Sequence, residues 1–327
     1  MSLHPGIEPS AAPERPSRPL SSTLRRATRS PAGAMGAVGL LLIVGLAVLA
    51  PLVAPSGPND KVGGVYDPPS AAHPLGLDDA GIDMVSLLLH GARTSLLVGF
   101  SAAVIAMLIG GTVGMVAGYV GGRTDSVLMR ITDYMLVIPD VPLLLIAAAV
   151  WGRSLWGVIL IIGVLSWAAS ARVVRSQTKS LRQRGYVQRA RSTGARDSRI
   201  ILTHILPQVS PLLLTLAVFA IANAILAETA IAFLGLGDLD SVSWGRLIQN
   251  AFEGQALSRD AWWAIVPPGL AISFLILSCT LVGRALEERL NPRLRGGGHL
   301  SVRSFRIRPV PVRQARLQHA NRPDGAL

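Results

Sequence analysis

Cysteine is almost absent. Cys279 is the only one in 327 residues, so no intrachain disulfide can form and no cysteine cluster can hold a metal. Charged residues make up 15% of the chain and aromatics 5%, too little charge for the surface of an ordinary soluble domain. Acids are the scarcer sign, with 19 Asp and Glu against 31 Lys and Arg, a net charge of +12. That balance alone would admit nucleic acid, but the arginines flank apolar segments and lack the interleaved aromatics on which bases stack. No nucleic-acid partner is expected. Enzyme signatures are missing as well: there is no Gly-x-x-x-x-Gly-Lys-Ser/Thr and no His-Glu-x-x-His, so the chain is not expected to bind or hydrolyse ATP itself. His73, His90 and His204 are scattered, and isolated imidazoles make no coordination shell. Neither a metal nor a cofactor is expected.

What the sequence has instead is apolar length. Half its residues are hydrophobic and mean hydropathy is +0.46. Six runs approach the roughly 20 residues a helix needs to cross a hydrocarbon core: 34–53, 96–119, 133–150, 156–174, 209–234 and 262–282. Only helices or closed barrels satisfy their backbone in lipid, and these runs are continuous rather than alternating. The expected fold is an all-α polytopic membrane protein with six transmembrane helices. The third run is interrupted by Pro139, Asp140 and Pro142, and the sixth opens on Pro267-Pro268, where a bent first turn is expected. A Pro-, Ser- and Arg-rich segment, 1–33, reads as a disordered tail. The membrane domain occupies 34–295, and 296–327 reads as a flexible basic tail. The polar lead and the long first run favour a retained anchor over a cleaved signal.

Arginine placement orients the spans. Arg15, Arg18, Arg25, Arg26 and Arg29 precede the first; Arg123 and Arg130 follow the second; Arg172, Arg175, Lys179, Arg182, Arg184, Arg189, Arg191, Arg196 and Arg199 follow the fourth; Arg284, Arg289, Arg293 and Arg295 follow the sixth. The alternate segments hold Asp60, Asp67, Asp78, Asp79 and Asp83, then Asp238, Asp240, Glu253 and Asp260. Both termini are therefore expected in the cytoplasm, the chain lying in the cytoplasmic (inner) membrane.

The loop 175–207 is too long for an idle connector between packed helices. Residues 178–193 contain no proline and only Gly185 weakens them, so one helix is expected there. Gly194 is placed to stop it. Asp197 or Ser198 is expected to cap a second short helix, and Pro207 to mark the start of the fifth span. Such an element could be gripped by a cytoplasmic protein, or could lie as an amphipathic helix among lipid headgroups. Physical reasoning leaves both open.

Tyr186-Val187-Gln188-Arg189-Ala190-Arg191-Ser192-Thr193-Gly194, with His204-Ile205-Leu206-Pro207 after it, resembles the coupling loop of ABC-importer permeases. Three further segments narrow the likeness to the dipeptide/oligopeptide/nickel type, C-type subunit: His73 to Asp83 with Leu89 to Leu96, Ala227 to Gly237 with Ser243-Trp244-Gly245, and Leu290-Asn291-Pro292-Arg293-Leu294. The resemblance covers about residues 34–295. It implies a type I ABC-importer permease fold, in which Tyr186, Val187, Gln188, Arg189, Ala190, Gly194, Ala195, Asp197, Leu206 and Pro207 form the docking element for an ATPase. It also implies partners: a second permease, two ATP-binding subunits, an extracytoplasmic solute-binding protein and membrane lipid. Peptides or a similar small solute would be the cargo. The sequence departs from the pattern at Gln188, where glutamate is usual, at Arg189, where alanine is, and at Ile82, where arginine is common.

Glu228 lies within the fifth span, where a carboxylate costs at least about 2.5–3.5 kcal/mol unless it faces protein or water. It either lines a path or is a hydrogen-bonded structural acid, and Asp140 poses the same choice. Asp133 is expected at the interface. Phe233 and Gly235 close the fifth span, either as a gate or as a glycine-terminated helix. Trp244, Trp262 and Trp263 are expected in the interfacial aromatic belt. The alternative function is a stand-alone secondary transporter or channel, which would bring acids into the spans and often an internal repeat; the acids are few and no clear repeat is visible.

Overall fold

The computed structural model describes residues 30–151 and 153–290. The expected tails therefore lie outside the described residues, apart from positions 30–33, and so does most of the Leu290–Leu294 segment. The first helix, α1 (Pro31–Val53), starts three residues ahead of the expected run: Ser30 Oγ accepts from Gly33 N at 3.2 Å, and Pro31 occupies the first turn, where its missing N–H costs nothing. Next comes α2 (Met84–Val120), 37 residues long and well beyond the expected 96–119, opened by Asp83 and closed at Gly121, φ +73°.

The third and fourth runs depart from simple rods. The third is a pair, α3 (Gly122–Val137) and α4 (Asp140–Trp151), bent by 89°. Proline explains the break: Ile138 takes the extended conformation (ψ 129°) that a residue before proline prefers, and Pro139 cannot donate. The fourth is α5 (Leu155–Leu165) and α6 (Ala168–Arg182), bent by 41°. Then follow α7 (Gly185–Ser192), α8 (Asp197–Ile200), a π turn (Ile201–Ile205), α9 (Leu206–Phe233), α10 (Trp244–Glu253) and α11 (Val266–Leu290). Pro267 and Pro268 fall in the first turn of α11, which tolerates them. Among the described residues, four helices are long and apolar enough to cross a membrane, six if each bent pair counts as one span.

Lipid tails are as apolar as leucine, so helices associate in a bilayer by close packing of small residues. On α2, Gly110, Gly114 and Gly118 recur every fourth residue and so line one face. A Cβ on them would stand 2.7 Å from Trp167 O, 2.5 Å from Ala171 O and 2.7 Å from Arg175 O: the backbones of α2 and α6 are nearly in contact. Gly36 brings α1 onto Leu281 and Ser278 of α11 in the same manner.

Two of the three tryptophans expected in the aromatic belt are not belt residues. Trp244 and Trp263 are buried in the main core, donating their indole N–H to Leu88 O at 2.9 Å and Leu77 O at 3.0 Å. A buried indole needs such a partner. Trp262 is 52% exposed and can occupy an interface. The Trp263 bond anchors the segment between α1 and α2. In that segment the fully buried Asp83 carboxylate accepts from Ser86 N at 2.9 Å and lies 2.9 Å from His73 Nδ1. Burial pushes the neighbouring Asp78 carboxyl above the usual aspartate range, against the N–H groups of Ile82 and Ala80 that favour its charged form.

Candidate functional site

The chain between α6 and α9 forms an elbow built on the helices beneath it. The single helix expected over 178–193 is in fact two. Helix α6 ends at Arg182, Arg184 is extended (ψ 142°), and α7 begins at Gly185. The break lets Val187 turn inward, 1% exposed, into a core with Met115, Tyr119, Leu181, Ile200 and Ile205. Gln188 completes it: its Nε2 donates to Arg182 O at 3.0 Å, filling a carbonyl that the end of α6 leaves open.

Gly194 closes α7 as the sequence suggests. Its φ is +81°, its N–H reaches Arg191 O at 3.1 Å, and Ala195 N reaches Ala190 O at 3.2 Å, which is the Schellman pattern. Asp197 is not the cap of the next helix but its first residue, after the extended Arg196. Its carboxylate accepts instead from Tyr119 OH on α2 at 2.9 Å. Pro207 does fall in the first turn of α9, but the helical run begins before it. Residues 197–233 form one continuous helix, and the wide turn at Ile201–Ile205, where Leu206 N donates five residues back to Ile201 O, precedes the proline. A proline ring collides with the carbonyl four residues earlier in a regular helix, and a π turn relieves that collision. Tyr186 stacks on His204 of this turn, ring centroids 6.3 Å apart.

The ten expected docking residues therefore divide. Val187 is buried; Tyr186, Ala190, Ala195 and Leu206 are half-buried against the same core; Gln188, Arg189, Gly194, Asp197 and Pro207 are exposed. The inner set fixes the elbow and the outer set can meet a partner. Sequence reasoning missed what holds α6 from the other side. Arg175 donates to both oxygens of Asp125 on α3 at 2.5 and 2.8 Å, and Lys179 lies 2.7 Å from the same carboxylate. Asp133 meets Arg172 at 2.6 Å, both side chains more than half exposed.

The four pore or interface candidates do not share one site: Glu228 and Gly235 meet at one cavity, and Asp140 and Phe233 lie apart from it. Glu228, 5% exposed, accepts from Ser95 Oγ of α2 at 3.4 Å and lines a small cavity with Gly235, Thr94, Asp238 and Arg246. Gly235 also ends α9, with φ +74° and its N–H on Ala232 O at 2.9 Å. Phe233 packs edge-on against Phe252, centroids 5.7 Å apart. Asp140 stands elsewhere, in a cleft of about 360 Å³ shared with Leu144, Ser166, Asn223 and Ile231. That cleft is bordered by both helix breaks.

Comparison with known proteins agrees with this architecture. The family described as binding-protein-dependent transport system inner membrane component matches residues 110–296, from the middle of α2 past the end of α11. A protein of Brucella suis biovar 1, provisionally named a peptide transport system permease protein, is 38% identical over 283 residues, 86% of this chain and 94% of the relative. The di/tripeptide transport system permease protein DppC of Pseudomonas aeruginosa is 34% identical over 292 residues, 86% and 95% of the two chains. The dipeptide transport system permease protein DppC of Alkalihalophilus pseudofirmus is 33% identical over 267 residues, 79% and 86%. The all-helical bundle is the type I ABC-importer permease fold, and the chain belongs to the inner membrane components of binding-protein-dependent transport systems.

Proposed function

We propose that this chain is the permease subunit of an ATP-driven importer of peptides. The elbow carries the reading: α7 is fixed to the membrane helices by Val187 and by the Gln188 bond to α6, and α8 just beyond it by the Asp197 bond to α2, so a push on the exposed face moves spans rather than a loose loop. Peptide cargo is inferred from the names of the relatives. A companion permease completes the pathway, two ATP-binding subunits supply hydrolysis, and an extracytoplasmic binding protein delivers the solute. The arginine distribution supports a cytoplasmic side for the elbow and both termini. On this reading the cleft beside Asp140 and Asn223 belongs to the wall of the path. It lies where two bent helix pairs can change angle.

The test is reconstitution. Proteoliposomes holding this chain, its companion permease and the ATP-binding subunits should take up a labelled di- or tripeptide only with ATP inside and binding protein outside. Uptake by this chain alone, driven by an ion gradient, would establish the secondary-transporter alternative instead. Orientation is checked separately: a cysteine placed at Ser192, in a Cys279→Ser background, should react with an impermeant maleimide in inverted vesicles and not in intact cells.

A further inference from the structure

Between positions 182 and 199 stand six arginines and one acid, Asp197. That acid is engaged by Tyr119 OH. Arg184, Arg189, Arg191, Arg196 and Arg199 are all exposed, and none has an ion-pair or hydrogen-bonding side-chain partner among the described residues. The outward face of the elbow is thus a concentrated, uncompensated positive surface on a rigid frame.

Two kinds of surface could neutralise it, anionic headgroups or an acidic protein cleft. A helix that lies in a bilayer needs an apolar face to sink into it. On α7 the large apolar side chains are spent inward: Val187 is buried and Tyr186 half-buried against the chain's own core, while Gln188, Arg189, Arg191 and Ser192 face out. Nothing exposed on α7 or its closing turn can anchor in hydrocarbon. Charge alone can still draw in anionic headgroups beside a membrane span, and Leu202 of the neighbouring turn is exposed, but a rigid helix whose outer face is wholly polar fits a protein groove.

We infer that the elbow is recognised by charge, and that the ATP-binding subunit it docks with presents an acidic cleft around α7. The inference rests on the docking role proposed above and adds the chemistry of the partner. It makes assembly salt-sensitive, since exposed charges are screened over about 10 Å at 0.1 M salt. It also makes the permease selective, because an ATPase with a basic or neutral cleft would meet like charge or an unpaired one.

The experiment measures the affinity of purified ATP-binding subunits for the permease pair in nanodiscs of phosphatidylcholine alone, at low and high NaCl. The double variant Arg189→Gln/Arg191→Gln should weaken binding about 2- to 30-fold at low salt, the range expected for two exposed pairs, and the difference should shrink as salt rises. Neutralising Arg93 and Arg153, which are exposed on α2 and in the turn between α4 and α5, removes the same net charge outside the elbow and should leave affinity unchanged. Equal affinity of the elbow variant and the parent overturns the inference while leaving docking intact. An effect seen only when phosphatidylglycerol is added to the discs assigns the arginines to lipid and overturns it too. Absence of any binding to the parent chain removes the docking role itself, and with it this inference.

Discussion

Replacing Gly114 with alanine adds one methyl group at the closest approach of two helices. The new Cβ would stand 2.5 Å from Ala171 O and 2.7 Å from Val174 Cβ. An ordinary carbon–oxygen contact is close to 3.4 Å, so α2 and α6 must part by nearly 1 Å. The obstacle is a backbone carbonyl, which no rotamer change can move. Overpacking of this kind costs about 1–3 kcal/mol. The substitution gains something as well, because alanine is a better helix former than glycine by about 0.8–1.0 kcal/mol. Gly45 on α1 measures that gain alone: a Cβ there meets nothing within 4 Å. Gly114→Ala and Gly45→Ala should therefore differ by about 1–3 kcal/mol, or roughly 5- to 150-fold in the unfolding equilibrium constant, since the helix-propensity gain is common to both. Equilibrium unfolding of the purified chain in mixed micelles, titrated with SDS, reads the difference directly. If both variants shift the midpoint by the same amount in the same direction, the glycine stripe does not hold α2 against α6 and the packing argument fails.

The other predictions concern the elbow and its support. A methyl group on Gly194 would meet nothing within 4 Å, but the residue holds φ +81°, so Gly194→Val should act through backbone strain alone, at least about 1–2 kcal/mol. Peptide uptake should fall while ATP hydrolysis persists, measured together in the reconstituted importer; unchanged uptake per ATP would argue against a docking role. Gln188→Glu replaces the donor to Arg182 O with a carboxylate facing a carbonyl, a loss of about 1 kcal/mol. Amide exchange across 183–188 should quicken about fivefold, and no change would mean that the bond does not fix the break. Asp125→Asn strips the charge that Arg175 and Lys179 share at a site 11% exposed, and should destabilise by about 1–3 kcal/mol. Asp133→Asn, in an exposed pair, should cost less than about 1 kcal/mol; equal losses would refute the ranking by burial.

Apolar length was enough to find the four long helices and the two bent pairs, and arginine placement to pick out the elbow, because both are properties of local sequence. The break before Asp140 was also legible, since Pro139 and Pro142 flank it. The bend between Leu165 and Ala168 was not, as Ser166-Trp167 carries no proline or glycine to announce it. The break at 183–184 had a signal in Gly185, read only as a weak point in one helix. What decides it is tertiary: Val187 has a core to enter. The Asp125 pairing joins residues 50 apart in sequence, and no local pattern links them. The every-fourth glycines of α2 went unread, because nothing local names the helix they face. Trp244 and Trp263 were misplaced because an indole near a span end looks the same whether its N–H meets water or Leu88 O and Leu77 O.

The unbroken rod from Asp197 to Phe233 has a mechanical consequence. Its 37 residues extend about 55 Å, against a hydrocarbon thickness near 30 Å, so part of it must stand outside the bilayer, and on the docking proposed above it would serve as a lever. A tilt of only about 5° displaces one end by about 5 Å relative to the other. Glu228, near the far end, is tethered to Ser95, so a docked partner that drove the near end would have to stretch that tether, slide it or carry α2 along.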